Sequence, residues 1–251
     1  MENLVKIKSQ GYILVTGAGS GIGLSIVETL LSNGFTQLIC QYRNRNVELF
    51  DLLKKFNLSP EEYTIKAELT DEVDISKINE FGKNKFGNIY GLINVAGAST
   101  NSMSWKMTKD DFTKVINANL LSTFLCSKEF IPEMREQGIG RIINFSSVVA
   151  FTGTVGSAHY CAAKAGVVGL SKALSLELAN KKITVNTIAL GYFDRGLIND
   201  VSIELQEEIK SKTPIKRFGQ ANEVGALIKY ILGLDAEFTT GQVFHINGGL
   251  Y

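Results

Sequence analysis

The stretch that decides the fold is TGAGSGIG, residues Thr16–Gly23, which follows the short apolar run Tyr12–Val15. A segment with helical spacing, Ile22–Ser32, begins directly within it. Glycines permit a tight turn between a strand and a helix, and they let the backbone approach a ligand closely. The helix start offers unpaired N–H groups and a favourable dipole to an anion. The segment therefore predicts a turn that binds the pyrophosphate of a dinucleotide, with an ordinary strand-to-helix connection as the alternative.

The rest of the chain repeats the same alternation of a short apolar run and a longer amphipathic segment. The apolar runs show little alternation, which is typical of strands covered on both faces. The predicted strands are Tyr12–Val15, Gln37–Cys40, Tyr63–Lys66, Leu92–Val95, Arg141–Phe145, Thr184–Ala189 and Val243–Ile246. The predicted helices include Ile22–Ser32, Ile75–Phe86, Asp111–Glu136, Ala158–Ala179 and Asn222–Leu232. This order predicts an α/β fold: a Rossmann-type, doubly wound parallel sheet of about seven strands, with helices on both faces, in a single domain over residues 1–251.

Composition narrows the class of protein. Of 251 residues, 45% are hydrophobic and 20% charged, which is typical of a globular chain, and 26 Lys and Arg nearly cancel 25 Asp and Glu. Without a basic face we expect no nucleic-acid partner. The three cysteines form no Cys-x-x-Cys pair, and the two histidines lack ligands in metal spacing, so we expect reduced thiols and no bound metal. The polar start, Met1–Gln10, and the lack of a long apolar stretch predict a cytoplasmic protein without a membrane anchor.

The end of the second predicted strand bears on the choice of dinucleotide. It reads QYRNR, residues Gln41–Arg45, and contains no carboxylate. NAD-selecting enzymes usually place a carboxylate here for the ribose 2′-hydroxyl, whereas Arg43 suits a 2′-phosphate. NADP(H) is therefore favoured over NAD(H). The alternative is that Arg43 and Arg45 are solvated loop charges.

A second group of polar residues follows the later strands. Tyr160 and Lys164 are four residues apart in a predicted helix, so their side chains share one face. A nearby ammonium lowers the pKa of a phenol and prepares it for proton transfer to a carbonyl oxygen. Ser146 and Ser147 follow the strand Arg141–Phe145. Asn119 lies inside a long predicted helix, where a buried polar residue requires a structural or functional explanation.

Together these motifs resemble the short-chain dehydrogenase/reductase family over nearly the whole chain. The matching motifs are TGAGSGIG at Thr16–Gly23, NVAG at Asn94–Gly97, NAN at Asn117–Asn119 and YCAAK at Tyr160–Lys164. The segments Arg141–Gly153 and Thr240–Gly249 most resemble those of the 3-oxoacyl-(acyl-carrier-protein) reductases. The family serine lies 13 positions before the tyrosine, which selects Ser147 over Ser146.

The resemblance implies a division of roles in carbonyl reduction. Tyr160 would be the general acid, Lys164 would lower its pKa and hold the nicotinamide ribose, Ser147 would donate to the substrate oxygen, and Asn119 would hold a water that connects Lys164 to solvent. The cofactor-binding residues expected from the matched motifs and their neighbours, together with Arg43, are Gly17, Gly19, Ser20, Gly21, Ile22, Gly23, Arg43, Glu68, Leu69, Asn94, Ala96, Gly97, Tyr160, Lys164, Gly191 and Phe193.

The chain departs from the family pattern at several positions. After the sixth strand it has Leu190 for a usual proline and Arg195 where a threonine is common. Arg195 either engages cofactor phosphates or an anionic substrate, or it points to solvent or pairs with Asp194. Glu68 replaces a usual aspartate near the adenine, and Ser20 a residue that is often basic in NADP-preferring relatives. Of two basic residues that serve carrier-protein docking in the acyl reductases, one is Gly138 here, and Lys181 keeps the other.

The leading substrate is a 3-oxoacyl thioester, and the closest alternative is the same chemistry on a sugar, polyol or small-metabolite ketone. A hypothesis from a different class is a non-catalytic dinucleotide-binding regulator. The resemblance also implies a homotetramer, or a homodimer, in which the helices Asp111–Glu136 and Ala158–Ala179 contact a second copy.

Overall fold

Seven apolar segments pair side by side as parallel strands in the computed structural model, which describes residues 10–196, 198 and 201–251. The strands are β1 (Tyr12–Val15), β2 (Leu38–Tyr42), β3 (Thr64–Lys66), β4 (Ile89–Asn94), β5 (Gly140–Ser147), β6 (Ile183–Leu190) and β7 (Val243–Ile246). Their order across the sheet is β3-β2-β1-β4-β5-β6-β7. The predicted doubly wound parallel sheet is confirmed. From β1 the chain adds β2 and β3 on one side of the sheet and then β4 to β7 on the other, so the strand order switches between β1 and β4. In such sheets, ligands bind beyond the carboxyl ends of the strands at this switch point.

The helices alternate with these strands. They are α1 (Gly21–Ser32), α2 (Val47–Lys55), α3 (Pro60–Tyr63), α4 (Glu72–Phe86), α5 (Lys109–Ile116), α6 (Ser122–Gln137), α7 (Val149–Thr152), α8 (Ala158–Leu178), α9 (Ile203–Lys212) and α10 (Ala221–Leu232). Four of these helices, α2, α3, α7 and α9, are not among the helices named from the sequence. In α9 none of the ten residues is buried, so no buried apolar face signals it. None of the described helices is long and apolar enough to cross a membrane.

Two hydrophobic layers cover the two faces of the sheet. Because side chains alternate along a strand, Ile13 and Val15 face one layer, while Tyr12 and Leu14 face the other. The first layer is closed by α1, α2 and α10, and the second by α4, α6 and α8. The continuous apolar runs seen in the sequence follow from this burial on both faces.

The long helix predicted over Asp111–Glu136 is wrong in one respect. Two α-helices, α5 and α6, are joined by a π-helical segment, Asn117–Leu121, which places Asn119 at its centre. Such a segment inserts a wider turn into a helix and often occurs at functional sites. Strand β5 is also longer than predicted, so that Ser147 is its last residue rather than the second residue after its end.

Candidate active site

The glycine turn between β1 and α1 packs directly against the end of β4. Gly17 has a φ of +64°, and a Cβ there would lie 2.7 Å from the Cα of Ala96. Both the backbone conformation and the close approach require a glycine at this position. The turn therefore presents its backbone, without side chains, at the carboxyl edge of the sheet.

Two buried polar side chains brace the turn. The amide oxygen of Gln41 accepts from the N–H of Gly17 at 2.8 Å, and its amide nitrogen donates to the carbonyl oxygen of Ala67 at 2.7 Å. The hydroxyl oxygen of Thr16 accepts from the N–H groups of Val95 and Ala96 at 3.1 and 3.2 Å. Neither Gln41 nor Thr16 was predicted to have a role, although a polar residue at the end of a buried apolar strand signals a specific hydrogen-bond partner.

The start of α1 is suited to an anion. Ser20 is the N-cap residue, and its side chain makes no capping hydrogen bond within the described residues. The first turn, Gly21–Leu24, contains no acidic residue. The N–H groups of this turn and the positive end of the helix dipole are therefore available to a phosphate group. The residues from Gly17 to Gly23, including the predicted Gly19, Gly21 and Ile22, fit the pyrophosphate of a dinucleotide.

Arg43 and Glu68 lie together beyond the ends of β2 and β3. The Nη1 of Arg43 is 3.7 Å from the Oε2 of Glu68, and both side chains are about half exposed. The hydroxyl and N–H of Thr70 also donate to Glu68. An exposed ion pair of this kind contributes little to stability, so Arg43 remains available to a stronger anion.

Ser147, Tyr160 and Lys164 meet at the carboxyl end of β5. Ser147 lies close enough to the hydroxyl of Tyr160 to affect its pKa, and the Nζ of Lys164 lies 5.7 Å from the centre of the Tyr160 ring. Burial raises the pKa of Tyr160 to about 12, and Ser147 opposes that rise. The cost of burying the phenolate is the largest influence on this pKa, and the lowering by Lys164 stays a prediction. The phenol is therefore neutral at pH 7, the form that donates a proton.

Lys164 is itself buried beneath the site. Its ammonium donates to the carbonyl oxygen of Phe145 at 2.9 Å. Burial lowers the pKa of Lys164 to about 8. A group with a pKa this close to neutrality can both hold and release a proton under ordinary conditions.

Asn119 stands beside Lys164 because residue 97 is a glycine. A Cβ at Gly97 would lie 2.5 Å from the Oδ1 of Asn119 and 3.4 Å from the Nζ of Lys164. The Nδ2 of Asn119 donates to the carbonyl oxygens of Ala98 and Val115 at 2.7 and 2.8 Å. Its Oδ1 is buried and has no partner among the described residues. An acceptor in this state is suited to a bound water, and the role of Asn119 stays a prediction.

The two serines at the end of β5 have different surroundings. Ser146 is buried, and its hydroxyl donates to the carbonyl oxygen of Lys164 at 2.8 Å, which ties α8 to the strand. Ser147 is half-buried and contacts the Tyr160 hydroxyl. The strand alternation that separates them supports the choice of Ser147 for the chemistry.

Some residues predicted to bind the cofactor have side chains that point into the protein. The Nδ2 of Asn94 donates to the Oδ1 of Asn144 at 2.9 Å, and Asn94 is almost fully buried. Leu69 and Phe193 are also buried, and the Phe193 ring packs against Gly219. The N–H of Gly191 donates to Ile246, the last residue of β7. The side chains of Asn94, Leu69 and Phe193 are buried, so any contact of these residues with a cofactor would use their backbone.

Arg195 turns toward α1. Its Nη1 lies 3.4 Å from the hydroxyl oxygen of Ser25, and a Cβ at Gly21 would lie 3.0 Å from the Cα of Gly196. The segment after β6 thus lies on the start of α1. This contact agrees neither with a pair to Asp194 nor with a fully solvated side chain. Within the described parts of the chain, no three His, Cys, Asp or Glu side chains are grouped so as to hold a metal ion.

Comparison with known proteins agrees with this arrangement. The model of the short chain dehydrogenase family matches residues 11–205. A 3-oxoacyl-(acyl-carrier-protein) reductase of Buchnera aphidicola is 36% identical over 95% of this chain and 96% of its own length. The proteins of the same name from Aquifex aeolicus and Staphylococcus aureus are 34% and 33% identical, over 98% and 95% of this chain and 100% and 97% of their own lengths. The chain belongs to the short-chain dehydrogenase/reductase family.

Proposed function

We propose that this protein reduces a carbonyl to an alcohol with NADPH, and that its substrate is a 3-oxoacyl thioester. The observation that carries the proposal is the meeting of Ser147, Tyr160, Lys164 and Asn119 beside the glycine turn. The names of the three relatives supply the class of substrate.

The proposed mechanism divides reduction between hydride and proton transfer. A bound nicotinamide supplies the hydride, which adds to the carbonyl carbon. The neutral phenol of Tyr160 donates its proton to the carbonyl oxygen, and the hydroxyl of Ser147 donates a hydrogen bond to the same oxygen as negative charge develops there. Because Ser147 lies beside the Tyr160 hydroxyl, both donors can reach the same carbonyl oxygen.

Lys164 and Asn119 restore the proton that Tyr160 loses. Lys164 lies on the same face of α8 as Tyr160. Its pKa is about 8, so it carries a proton below that pH. The unpartnered Oδ1 of Asn119 lies on the same side of Gly97 as the Nζ of Lys164, and it suits a water in the path to solvent. This arrangement supports the relay, because each group has hydrogen-bonding capacity left over in a buried place.

The preference for NADPH rests on Arg43. Its exposed guanidinium at the end of β2 suits the 2′-phosphate, and Glu68 is its partner at 3.7 Å. We expect Arg43→Ala to raise the KM for NADPH by about tenfold, because one charge-assisted contact is lost, and to leave that for NADH nearly unchanged. The matched control is Arg45→Ala, which removes an equally exposed arginine two residues on. Equal effects of Arg43→Ala on both cofactors would contradict the assignment.

The rim of the site supports an acyl substrate over a sugar. The N–H of Ser102 donates to the carbonyl oxygen of Gly156 at 2.9 Å, which joins the loops after β4 and α7. Met103, Trp105 and Val155 on these loops are exposed apolar side chains. Such side chains suit an acyl chain better than a polyol.

Docking of acyl carrier protein and assembly into a tetramer or dimer are part of the proposal. Lys181 is exposed after α8, whereas Gly138 ends α6 in the left-handed conformation that favours glycine. Phe124 on α6 and Leu176 on α8 are exposed apolar residues, as expected where these helices contact a second copy.

The first experiment follows the absorbance of the reduced nicotinamide with an acetoacetyl thioester and either NADPH or NADH. Faster oxidation of NADPH would support both the acyl substrate and the role of Arg43. Oxidation with only sugars or small ketones would replace the substrate class. Tight cofactor binding without reduction of any carbonyl in a broad panel would favour a non-catalytic regulator.

A further inference from the structure

His159 precedes Tyr160 and is fully buried, with partners at both ring nitrogens. Its Nδ1 accepts from the backbone N–H of Tyr160 at 2.9 Å, and its Nε2 lies 3.1 Å from the hydroxyl oxygen of Thr100. Because Nδ1 acts as an acceptor, the proton of the neutral ring stands on Nε2 and is donated to Thr100. The two contacts together select one tautomer.

The contact with Tyr160 satisfies an otherwise unpaired donor at the start of α8. Ser157 is the N-cap residue of this helix, and its side chain makes no capping bond within the described residues. Tyr160 is the third residue of the helix, so its N–H has no acceptor four residues earlier inside the helix. The imidazole of His159 serves as that acceptor and so holds the backbone that carries the predicted general acid.

The contact with Thr100 connects this helix start to the loop after β4. Two further bonds join the same segments: Ser157 donates to the Oδ1 of Asn101 at 3.1 Å, and the N–H of Ser102 donates to Gly156 at 2.9 Å. We call these three contacts, between Thr100–Ser102 and Gly156–His159, the loop seam. His159 is the member of the seam that also bonds the backbone of Tyr160.

We infer that His159 is a positioning residue, which sets the place of Tyr160 relative to the loop that borders the substrate. The inference rests on the proposed function, since His159 acts through Tyr160. A shift of about 1 Å in a reacting group costs about a hundredfold in rate. An imidazole bonded at both nitrogens limits such a shift, because any movement of the ring breaks one of two bonds.

Three variants separate the two contacts of the ring. His159→Phe keeps an aromatic ring and removes both bonds. His159→Asn keeps an amide acceptor near the N–H of Tyr160, in the place of Nδ1. Thr100→Val preserves shape and removes only the hydroxyl, so it tests the loop bond alone.

Kinetics of the folded variants give the first readout. We expect His159→Phe to lower kcat by about tenfold or more and His159→Asn to recover most of that loss. Thr100→Val should raise the KM for the acetoacetyl thioester more than it lowers kcat, because the loop and not the helix start is released. Unchanged kcat in His159→Phe would overturn the inference, and so would an equal loss in the Phe and Asn variants.

A spectroscopic readout does not depend on turnover. The chain has two histidines, so the imidazole nitrogen spectrum of ¹⁵N-histidine protein contains two rings, and His159→Asn identifies one of them. We expect the Nε2-protonated tautomer for His159 and slow hydrogen exchange at the Tyr160 amide, which becomes faster in His159→Phe. The Nδ1-protonated tautomer would overturn the inference even if His159→Phe does not fold. If the wild type reduces no carbonyl, the proposed function fails, and the tautomer and the amide exchange still judge the position of His159.

Discussion

Buried polar groups lie at both edges of the parallel sheet, and the surroundings of these groups differ. At the amino edge, the hydroxyl of Tyr90 donates to the carbonyl oxygen of Leu232 at 2.5 Å, and the hydroxyl of Tyr12 has no partner among the described residues. At the carboxyl edge, the Oδ1 of Asn119 is also unpartnered, but it stands beside Lys164. An unpartnered buried atom is therefore not in itself a sign of a site. A group of complementary donors, acceptors and protons around one point is such a sign.

A raised tyrosine pKa, like an unpartnered buried atom, does not by itself mark a site. Burial raises the pKa of Tyr12 and Tyr90 at the amino edge as well as that of Tyr160 at the carboxyl edge. Tyr160 differs in its neighbours, because Ser147 and Lys164 stand within reach of its hydroxyl and ring. We expect changes at the carboxyl edge to alter turnover and changes at the amino edge to alter stability.

The largest effect on turnover is expected for Tyr160→Phe. This change removes the acid and keeps the ring, so kcat should fall by about a hundredfold or more. Binding of NADPH, measured by fluorescence titration, should stay within about threefold of the wild type, because the hydroxyl is not the main cofactor contact. A variant that keeps most of its activity would remove Tyr160 from its assigned role.

A smaller loss is expected for Gly97→Ala. The added Cβ would lie 2.5 Å from the Oδ1 of Asn119, so Asn119 or Lys164 must move, and we expect kcat to fall by about tenfold. The control is Gly169→Ala in α8, where a Cβ would have no described neighbour within 4 Å outside its own helix backbone, provided that gel filtration shows the wild-type assembly, because Gly169 lies on the same helix face as Leu176. That variant should keep its turnover and gain up to about 1 kcal/mol in free energy of unfolding. Equal turnover in the two variants would separate Gly97 from the relay.

A smaller loss of kcat is expected as the pH rises above 7. Burial lowers the pKa of Lys164 from 10.5 to about 8, so the ammonium is present below that pH and is lost above it. In the proposed mechanism Lys164 resupplies the proton that reduction consumes, so we expect kcat for reduction to fall about twofold between pH 7 and pH 8, and further above. The measurement is a profile of kcat with saturating NADPH between pH 6 and 9. A flat profile through this range would argue against Lys164 as the proton source.

The smallest effect on turnover is expected at the amino edge. Tyr90→Phe leaves the carbonyl oxygen of Leu232 without its donor and should lower the free energy of unfolding by about 1–2 kcal/mol, measured in urea. Tyr12→Phe removes a hydroxyl that has no partner among the described residues, so the free energy of unfolding should stay the same or rise. Both variants should keep the kcat of the wild type. A lower kcat in either variant would contradict the expectation that changes at the amino edge alter stability and not turnover.

The fold, and the elements that bring Tyr160 and Lys164 together with the end of β5, were predictable from sequence because their signals are local. Continuous apolar runs indicate the strands. The glycine turn and the Tyr160–Lys164 spacing each lie within one element and its boundary. The choice of Ser147 needed more information than the local pattern, because the neighbouring residue, Ser146, is also a serine. The resemblance to the family separated them, and the alternation of β5 gives the physical reason.

What sequence analysis missed depends on contacts between distant segments. The π-helical segment around Asn119 places that side chain where it bonds Ala98, a residue of another loop. His159 was interpreted only as a histidine without metal ligands, because its partner Thr100 lies 59 positions away. The side chain of Asn94 lies inward because Asn144 on β5 receives its hydrogen bond. No pattern within one element signals these pairings.

The most direct test measures two tyrosines together. Tyr160→Phe and Tyr90→Phe remove the same atom from opposite edges of one sheet, and each variant is assayed for NADPH-dependent reduction of the acetoacetyl thioester and for urea unfolding. We expect Tyr160→Phe to lose turnover and keep its stability, and Tyr90→Phe to lose stability and keep its turnover. If both variants lose turnover equally, or if Tyr160→Phe remains active, the catalytic role assigned to the carboxyl edge is contradicted.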